Sequence, residues 1–304
     1  MEYVLETNNI EKRYGHFKAL TNLNMHIPKG AIYGLIGKNG AGKTTLIRLV
    51  CGLQKATSGE YTIFGISNNS KKIINVRKRI GAIIETPSIC LDMTAEDNLK
   101  EQYKIIGLPS FDNLQEILKL VGLENTGKKT VKHFSLGMKQ RLGIAVALVG
   151  NPDLLILDEP INGLDPEGII EIRELILKLN IEKRITFLIS SHYLDELSKI
   201  ATCFGIIDKG KIIKEITKEE LEQNFKKKTQ INVSNIKECV KYLEEKNLNY
   251  KVITNNIIDI YEKINVSELV VALSKRDCMV NNFQEKEESL ENYYLNLIGG
   301  ANDD

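Results

Sequence analysis

Long apolar stretches are missing from this 304-residue sequence. A membrane-spanning helix needs roughly eighteen or more apolar residues in a row, and the run LGIAVALVG at residues 142–150 is far too short. The first residues, MEYVLETNNIEKRYG, turn polar within the first six and lack the apolar core of a signal peptide. The sequence therefore predicts a chain that does not cross a bilayer itself.

The sequence also lacks an excess of charge of either sign. Its 41 Lys and Arg residues nearly balance its 40 Asp and Glu residues, which leaves a formal net charge of +1. A balance of this kind gives no electrostatic reason to expect binding to nucleic acid or to an anionic membrane surface. No nucleic-acid partner is therefore expected.

Clustered cysteines are absent as well. The five cysteines are scattered, odd in number and free of any CxxC pair, which argues against a disulfide framework or a zinc site and favours a reducing compartment. No internal repeat and no low-complexity tract is visible. The length is sufficient for one large and one small domain, or for two equal ones.

Four continuous apolar runs are present, at residues 31–37, 80–84, 154–157 and 185–190. None alternates with a period of two, and each adjoins a segment with helical spacing. This pattern indicates an α/β fold with a parallel sheet covered on both faces. One helical face is predicted after Lys43 and another in the segment that follows residue 113, formed by Leu46, Ile47, Val50 and Leu53 and by Leu114, Ile117, Leu118 and Val121.

The remaining segments predict an inserted helical region and a second domain. Thr94 opens a helix with a capping-box-like Thr-x-x-Asp, and residues 92–150 contain helices and loops without a strong strand. A boundary is predicted near residue 220, so the domains are expected at 1–220 and 221–304. The second has the order β-α-β-β-α-β of a small α+β ferredoxin-like plait, with a last helix at about residues 287–297.

The first apolar run leads directly into GKNGAGKTT at residues 37–45, between a strand and an amphipathic helix. This matches the phosphate-loop pattern G-x-x-x-x-G-K-[ST] in its required context. Gly37, Gly40 and Gly42 allow the backbone amides to converge on phosphates, and the helix N-terminus adds its positive dipole. Lys43 supplies a positive charge and Thr44 a hydroxyl for Mg²⁺, so ATP or a related triphosphate is the expected ligand.

Acidic or imidazole side chains follow the other three apolar runs. Glu85 follows the second, Asp158 and Glu159 end the third, and His192 follows the fourth. Ligands of open parallel sheets bind beyond the carboxyl ends of the strands. We therefore expect Asp158 to hold Mg²⁺, Glu159 to polarise the attacking water and His192 to sense the γ-phosphate. Glu85 could be a solvated strand end, a catalytic group or part of a switch.

These motifs resemble those of the nucleotide-binding subunits of ATP-binding-cassette (ABC) transporters over residues 3–215. The stretch FSLGMKQR at residues 134–141 lies where that family has its signature loop, usually LSGGQQQR. Ser135 and Gly137 match the loop, whereas Leu136 and Met138 depart from it. The resemblance implies a P-loop NTPase cassette with a parallel-sheet core, an N-terminal antiparallel β part and a helical insertion.

The resemblance also implies further roles. Asp165 occupies the D-loop, and Tyr14 is placed where the family stacks an aromatic ring on adenine. Glu85 stands where the family normally has Gln, which adds an acid next to ATP and implies a contact with Mg²⁺-bound water. The phosphate loop as a whole would bind ATP, through Gly37, Lys38, Asn39, Gly40, Ala41, Gly42, Lys43, Thr44 and Thr45.

Glu85, the atypical signature and the closing SLENYYLNLIGG resemble the subgroup that exports bacitracin-like or lantibiotic peptides. The implied protein is an ATPase that forms a head-to-tail homodimer with two ATP molecules at its interface. It would act on the cytoplasmic face of the membrane with separately encoded transmembrane permease subunits. Two alternatives stay open: an importer ATPase whose C-terminal domain senses a small molecule, and a soluble ABC protein that acts on ribosomes or DNA.

Overall fold

The computed structural model describes residues 2–224, 228–262, 264–286 and 290–299, and the chain divides between Lys218 and Glu219 into two units. In chain order the elements up to that division are β1 (Tyr3–Tyr14), β2 (Phe17–Pro28), β3 (Ile32–Ile36), α1 (Lys43–Val50), β4 (Ser58–Ile63), β5 (Ile66–Ser67), α2 (Ile73–Arg77), β6 (Ile80–Ile83), α3 (Ala95–Ile106), α4 (Leu114–Leu120), a 3-10 turn (Val131–His133), α5 (Leu136–Leu148), β7 (Leu154–Asp158), α6 (Pro166–Lys183), β8 (Thr186–Ser191), α7 (Leu194–Ser198), β9 (Cys203–Asp208) and β10 (Lys211–Thr217). The elements that follow are α8 (Lys218–Asn224), β11 (Lys228–Val233), α9 (Ile236–Glu245), β12 (Tyr250–Thr254), β13 (Ile257–Ile260), α10 (Val266–Ser274), β14 (Val280–Lys286) and α11 (Leu290–Gly299).

The central sheet of the first unit has the strand order β10-β9-β3-β8-β7-β6. Its strands from β9 to β6 are parallel, and β10 joins the edge as an antiparallel hairpin partner of β9. Every residue of β3, β7 and β8 is buried, as the continuous apolar runs predict for strands covered on both faces. Each fully buried Leu or Ile side chain contributes about 1.5–3 kcal/mol. The predicted α/β class is confirmed.

A second, antiparallel sheet has the order β2-β1-β4-β5. Its buried side chains, such as Leu5 of β1 and Leu23 of β2, belong to the same core cluster as Leu46 and Ile47 of α1. The helix α1 therefore packs with the antiparallel sheet as well as with the central one, and the loop before α1 is held by both.

The helical insertion begins with the predicted capping box. The Thr94 hydroxyl accepts a hydrogen bond from the backbone N–H of Asp97 (3.1 Å), and the Asp97 carboxylate accepts one from the backbone N–H of Thr94 (3.4 Å). Gly107 ends α3 in the left-handed conformation (φ 76°), which only glycine adopts without strain. The predicted capping box at Thr94 is confirmed.

The predicted face of α1 is wrong at Leu53. The helix ends at Val50, and Gly52 (φ 78°) follows in the left-handed conformation. The N–H of Gly52 donates to Leu49 O (3.0 Å) and that of Leu53 to Arg48 O (2.9 Å), which together form a Schellman cap. Leu53 therefore lies beyond the helix with 66% of its surface exposed.

The second unit contains a four-stranded antiparallel sheet of order β12-β13-β11-β14. Its elements from β11 to β14 follow the order β-α-β-β-α-β of a ferredoxin-like plait. Residues of the strands and of α9 and α10 share one core, which contains Ile231, Val233, Cys239, Leu243, Ile258, Ile260, Leu269, Leu273 and Cys278. The predicted start of the last helix, at residues 287–289, lies outside the described residues. Across the described ranges, no helix has the length and apolarity needed to span a membrane.

Candidate active site

The loop between β3 and α1 has the backbone that the glycine pattern predicts. Gly40 (φ 82°) and Gly42 (φ 110°) occupy the left-handed region, and Gly42 directly precedes α1. A Cβ atom at Gly37 would lie 2.5 Å from the carbonyl oxygen of Ile207, so no side chain fits there. The first amides of α1 have no partner within the helix. The loop and the helix N-terminus therefore form a site for an anion such as phosphate.

Lys43, the first residue of α1, is buried, with only 6% of its surface exposed. Its ammonium group donates to Gly37 O (2.6 Å) and Lys38 O (3.4 Å), and it lies 3.2 Å from Glu159 Oε1. A buried cation needs such partners to offset its loss of hydration. The loop and the carboxylate therefore hold the ammonium at the mouth of the phosphate loop.

Thr44 and Asp158 are joined across the end of the sheet. The Thr44 hydroxyl donates to Asp158 Oδ2 (2.8 Å), and the Ser190 hydroxyl donates to Asp158 Oδ1. Asp158 is only 1% exposed and lies opposite Ser190 in the parallel register of β7 and β8. A hydroxyl beside a carboxylate offers the hard oxygen ligands that Mg²⁺ prefers.

Within the described ranges, no group of three or more His, Cys, Asp or Glu side chains is arranged so that it could hold a metal ion. Mg²⁺ usually takes one or two carboxylates and completes its shell with waters and phosphate oxygens. The Thr44–Asp158 pair fits that mode of binding.

Glu159 lies between a cation and an imidazole. Its Oε1 faces Lys43, and its Oε2 lies 2.7 Å from Nδ1 of His192. Its backbone N–H donates to Ser190 O (3.1 Å) and to Ser190 Oγ (3.0 Å), although its own φ of 52° is unusual for a non-glycine residue. These contacts hold the carboxylate in a fixed position, where it can accept a proton from water.

The acids at the strand ends are aligned by the sheet register. Ile83 of β6, Leu157 of β7 and Ile189 of β8 form one row across the sheet. Glu85 and Glu159 each lie two residues beyond that row, and the predicted histidine lies one residue further along after β8. The parallel sheet therefore brings the predicted polar groups to one edge.

Glu85 is turned toward α1. Its backbone adopts φ 63°, and its Oε1 pairs with Nη2 of Arg48 at 2.7 Å. Its side chain is 61% exposed. Arg48 lies four residues after Thr44 on α1, one helical turn further along the same face.

The signature residues and Asp165 form a second group at the starts of α5 and α6. Ser135 Oγ accepts from Met138 N (3.2 Å), and Asp165 Oδ1 accepts from Gly168 N (3.0 Å), so each side chain caps its own helix. A Cβ atom built on Gly137 would lie 3.8 Å from the Cα atom of Gly168. The two helix N-termini therefore lie side by side.

Two ion pairs link α6 to its neighbours. Arg141 Nε lies 3.5 Å from Glu171 Oε2, and the Arg141 guanidinium donates to Val121 O (3.0 Å). On the other side, Arg173 Nη1 pairs with Glu196 of α7 at 2.8 Å. Lys199 and Arg173 lower the pKa of the Glu196 carboxyl. These pairs connect α6 with α5 and with α7.

Tyr14 lies at the end of β1 with 44% of its surface exposed. Its hydroxyl donates to Gln54 Oε1, and the ammonium of Lys12 lies 5.0 Å from its ring centroid. Among the other loop residues, Ala41 is buried, whereas Lys38 and Asn39 are exposed and Thr45 is half-buried. Ala41 N donates to Lys38 O (3.1 Å), which closes the loop on itself.

Three functional partners are missing from the sequence-based prediction: Ser190, Arg48 and Gln54. Ser190 stands in the SSH stretch next to the predicted histidine, so the two hydroxyl residues there were an available signal. Arg48 and Gln54 carry no sequence signal, because each partner lies 37 or more residues away along the chain.

A phosphate loop at the edge of a parallel sheet, with a lysine, an aspartate and a glutamate converging on it, defines a P-loop nucleoside triphosphatase. The family described as "ABC transporter" matches residues 20–162. The chain is 40% identical to the bacitracin transport ATP-binding protein BcrA of Enterococcus faecalis over 99% of this chain and 98% of that protein. The BcrA protein of Bacillus licheniformis is 42% identical over 99% of both chains.

The lantibiotic transport ATP-binding protein SrtF of Streptococcus pyogenes is 44% identical over 73% of this chain and 96% of that protein. Among solved structures, cbiO1 from Clostridium perfringens, part of the ABC transporter complex cbiONQ, matches with a TM-score of 0.66. It is 28% identical over 73% of this chain and 91% of its own. A dimeric ATP-binding cassette bound to ADP and Pi matches with a TM-score of 0.63 and 26% identity, over 70% of this chain and 98% of its own.

The chain belongs to the ATP-binding proteins of ABC transporters. It is an ATPase subunit that binds and hydrolyses ATP. Members of this family work with membrane permease subunits, and their cassettes form dimers.

Proposed function

We propose that this ATPase drives the export of a peptide antibiotic of the bacitracin or lantibiotic type, and so gives immunity or resistance. The observation that carries the proposal is the extent of similarity to the two bacitracin transport proteins, which runs over 99% of this chain and includes the second unit. The lantibiotic transport relative adds support over 73% of the chain. Glu85, in place of the usual Gln, is consistent with this subgroup.

Thr44 and Asp158 are the proposed ligands of Mg²⁺, and Glu85 is proposed to contact water bound to it. The proposal is supported by the 2.8 Å hydrogen bond between the Thr44 hydroxyl and the Asp158 carboxylate next to the phosphate loop. Mg²⁺ bound with ATP would neutralise part of the charge on the β- and γ-phosphates. The loop residues 37–45 would hold the phosphates, and Tyr14 would stack on adenine.

Glu159 is the proposed catalytic base. A water oxygen forms a bond to the γ-phosphorus while the bond to the β-phosphate oxygen breaks, and ADP leaves with the electron pair. The water proton passes to Glu159, which His192 and Lys43 hold on either side. His192 would also contact the γ-phosphate. The work of these residues is positioning and charge stabilisation, as in other phosphoryl transfers.

A head-to-tail homodimer is the proposed active form. Ser135, Gly137 and Asp165 would face the ATP that is bound by the second copy of the chain. Support comes from the two adjacent helix N-termini of α5 and α6, which together favour an anion, and from the dimeric cassette structure. Leu136, which replaces the usual Gly, is half exposed at this surface.

Separately encoded transmembrane permease subunits are the proposed partners, with the chain on the cytoplasmic face of the membrane. A groove of about 720 Å³ lies between the edge strand β6 and the helices α3 and α5. It is lined by side chains that include Ile105, Ile106 and Leu108, each of which is exposed by 40% or more. An exposed apolar surface of this kind is typical of a protein interface. We propose that a permease segment docks there.

Residues 221–304 are proposed to form an accessory domain that stabilises the assembly, and residues 1–220 are proposed to form the ATP-binding domain. The compact plait with its own core supports this division. Deletion of residues 221–304 is then expected to weaken assembly with the permease more than it weakens ATP binding. Gel filtration of the complex and nucleotide titration of the truncated chain measure the two effects.

The experiment that tests the proposed function is a protection assay. The chain is expressed with its permease subunits in a sensitive bacterium, which is then challenged with bacitracin and with a lantibiotic. We expect the inhibitory concentration of at least one of them to rise, and the rise to disappear with Glu159→Gln. No protection from an assembled, ATP-hydrolysing complex would contradict export of such peptides, and co-purification of a solute-binding protein would favour the importer alternative.

A further inference from the structure

The carboxylate at position 85 adds negative charge to the edge of the sheet where ATP is proposed to bind. ATP carries several negative charges, and the aligned strand ends already present the carboxylates of Asp158 and Glu159. Lys43 lies against Glu159, and two hydroxyls hydrogen-bond Asp158. Glu85 adds a further negative charge to the same edge, where Gln would add none.

Arg48 forms an ion pair with Glu85 and so offsets this negative charge. Its guanidinium lies 2.7 Å from Glu85 Oε1, and the two side chains are 36% and 61% exposed. The pair joins residues that are 37 positions apart, across the gap between α1 and the loop after β6. The left-handed backbone of Glu85 (φ 63°) is uncommon for a residue with a side chain. It fixes the direction in which the Glu85 side chain leaves the backbone.

The position of Arg48 on α1 ties the pair to the phosphate site. Residues four apart on a helix lie on the same face, separated by about 6 Å. Arg48 therefore follows Thr44 on that face, one turn away from the hydroxyl that contacts Asp158. Arg48 lies on the same short helix as Lys43, Thr44 and Thr45 of the phosphate loop, so its Cα atom is held at a fixed distance from these residues.

We propose that Arg48 is a positioning residue that neutralises Glu85 and holds its carboxylate beside the ATP site. This inference rests on the proposed role of Glu85 near Mg²⁺ and ATP. Without Arg48, the free carboxylate repels ATP, and the repulsion is greatest when no Mg²⁺ accompanies the nucleotide. A chain with Gln at position 85 has no such need for Arg48.

A double-mutant cycle tests the proposal through binding. The wild-type chain, Arg48→Gln, Glu85→Gln and the double variant are titrated with a fluorescent, non-hydrolysable ATP analogue, in EDTA and in excess Mg²⁺. We expect Arg48→Gln to weaken binding about two- to fivefold in EDTA, the range of a surface ion pair, and less in Mg²⁺. The same change in the Glu85→Gln background should have a clearly smaller effect. High salt should reduce the difference because it screens exposed charges.

Arg79 provides a matched control. It pairs with Asp153 at 2.6 Å, and the two side chains are 49% and 53% exposed. Asp153 directly precedes β7, so the pair lies at the amino ends of the parallel strands, opposite the carboxyl ends that Glu85 follows. Arg79→Gln should leave the affinity for the analogue unchanged, and thermal melts show which variants remain folded. Equal weakening by Arg48→Gln in both backgrounds, or none in either, would overturn the inference. Failure of the wild-type chain to bind the analogue would instead contradict the proposed ATP site itself.

Discussion

Nδ1 of His192 lies 2.7 Å from Oε2 of Glu159, although the two residues are 33 positions apart. The other oxygen of the carboxylate lies 3.2 Å from the Lys43 ammonium. A carboxylate held at both oxygens is fixed in one orientation, beside the phosphate loop whose carbonyl oxygen at Gly37 accepts from the same ammonium.

Glu159→Gln should separate binding from hydrolysis. The amide keeps the size of the side chain but is a far weaker base, so ATP binding should persist while turnover falls at least about tenfold, which is roughly 1.4 kcal/mol of barrier. Steady-state phosphate release and nucleotide titration measure the two quantities. Glu182→Gln, on an exposed position at the end of α6, serves as the control and should be fully active. A variant of Glu159 with normal turnover would show that another group activates the water.

Ser190→Ala should weaken both the fold and the site. The hydroxyl is fully buried, donates to Asp158 and accepts from the backbone N–H of Glu159. The substitution removes the donor to the buried Asp158 Oδ1, whereas the Glu159 N–H keeps its bond to Ser190 O. Loss of a hydrogen bond to a buried group costs about 1–3 kcal/mol, so the free energy of unfolding in urea should fall by that amount. Ser198 is half-buried and its hydroxyl donates to Asp195 O in a solvent-exposed hydrogen bond, so Ser198→Ala should change stability by no more than about 0.5 kcal/mol. Equal stability of the two variants would contradict the structural role of Ser190.

Gly42→Ala should abolish nucleotide binding. A Cβ atom at this position would lie 2.8 Å from Leu20 Cδ2 and 2.9 Å from the Ala19 carbonyl oxygen, and its φ of +110° is outside the range of alanine. The loop must move to relieve the clash, so the amides that would bind phosphate lose their alignment. Gly30→Ala shares the left-handed backbone (φ +77°) but meets no atom within 4 Å, and it should bind the analogue normally. Fluorescence titration of both variants checks the comparison.

The thiols should differ sharply in reactivity. Burial raises the pKa of the Cys51 thiol from 9.0 to about 12, and it raises the pKa of Cys239 to about 12 as well. At pH 8 these thiols carry almost no thiolate, whereas Cys90 is exposed. Iodoacetamide should therefore label Cys90 first, as mass spectrometry of the digested protein would show. Early labelling of Cys51 in folded protein would contradict the raised pKa of its thiol.

The same shift predicts an alkaline loss of stability. A folded-state pKa above the unfolded value favours the folded state at pH values below about 9, and this contribution is lost as pH rises from about 9 toward about 12. Cys51→Ala should therefore lose less unfolding free energy than the wild-type chain over that interval. Parallel slopes for the two proteins in urea titrations at several pH values would show that the Cys51 thiol does not contribute.

The α/β class and the capping box at Thr94 could be predicted because their signals are contiguous in the sequence. The phosphate loop is a run of nine residues, and a continuous apolar run marks a buried strand wherever it occurs. Asp158, Glu159 and His192 could be placed at one edge without knowledge of the strand order, because each stands at the carboxyl end of a predicted parallel strand.

Contacts between distant residues could not be predicted in the same way. Ser190 reaches Asp158, and Arg48 reaches Glu85, only because the strand order brings β8 beside β7 and α1 near the end of β6. The error at Leu53 has a different cause: its spacing fits a helix, but the Schellman cap at Gly52 ends α1 one turn earlier. The backbone geometry of a glycine overrode the apolar periodicity.

The shortness of α1 has a mechanical consequence. Its eight residues form a rod of about 12 Å that carries Lys43, Thr44 and Arg48 within two turns. A small tilt of this helix would displace the ammonium, the hydroxyl and the guanidinium together. It would therefore lengthen or shorten the contacts to Glu159, Asp158 and Glu85 in a single motion.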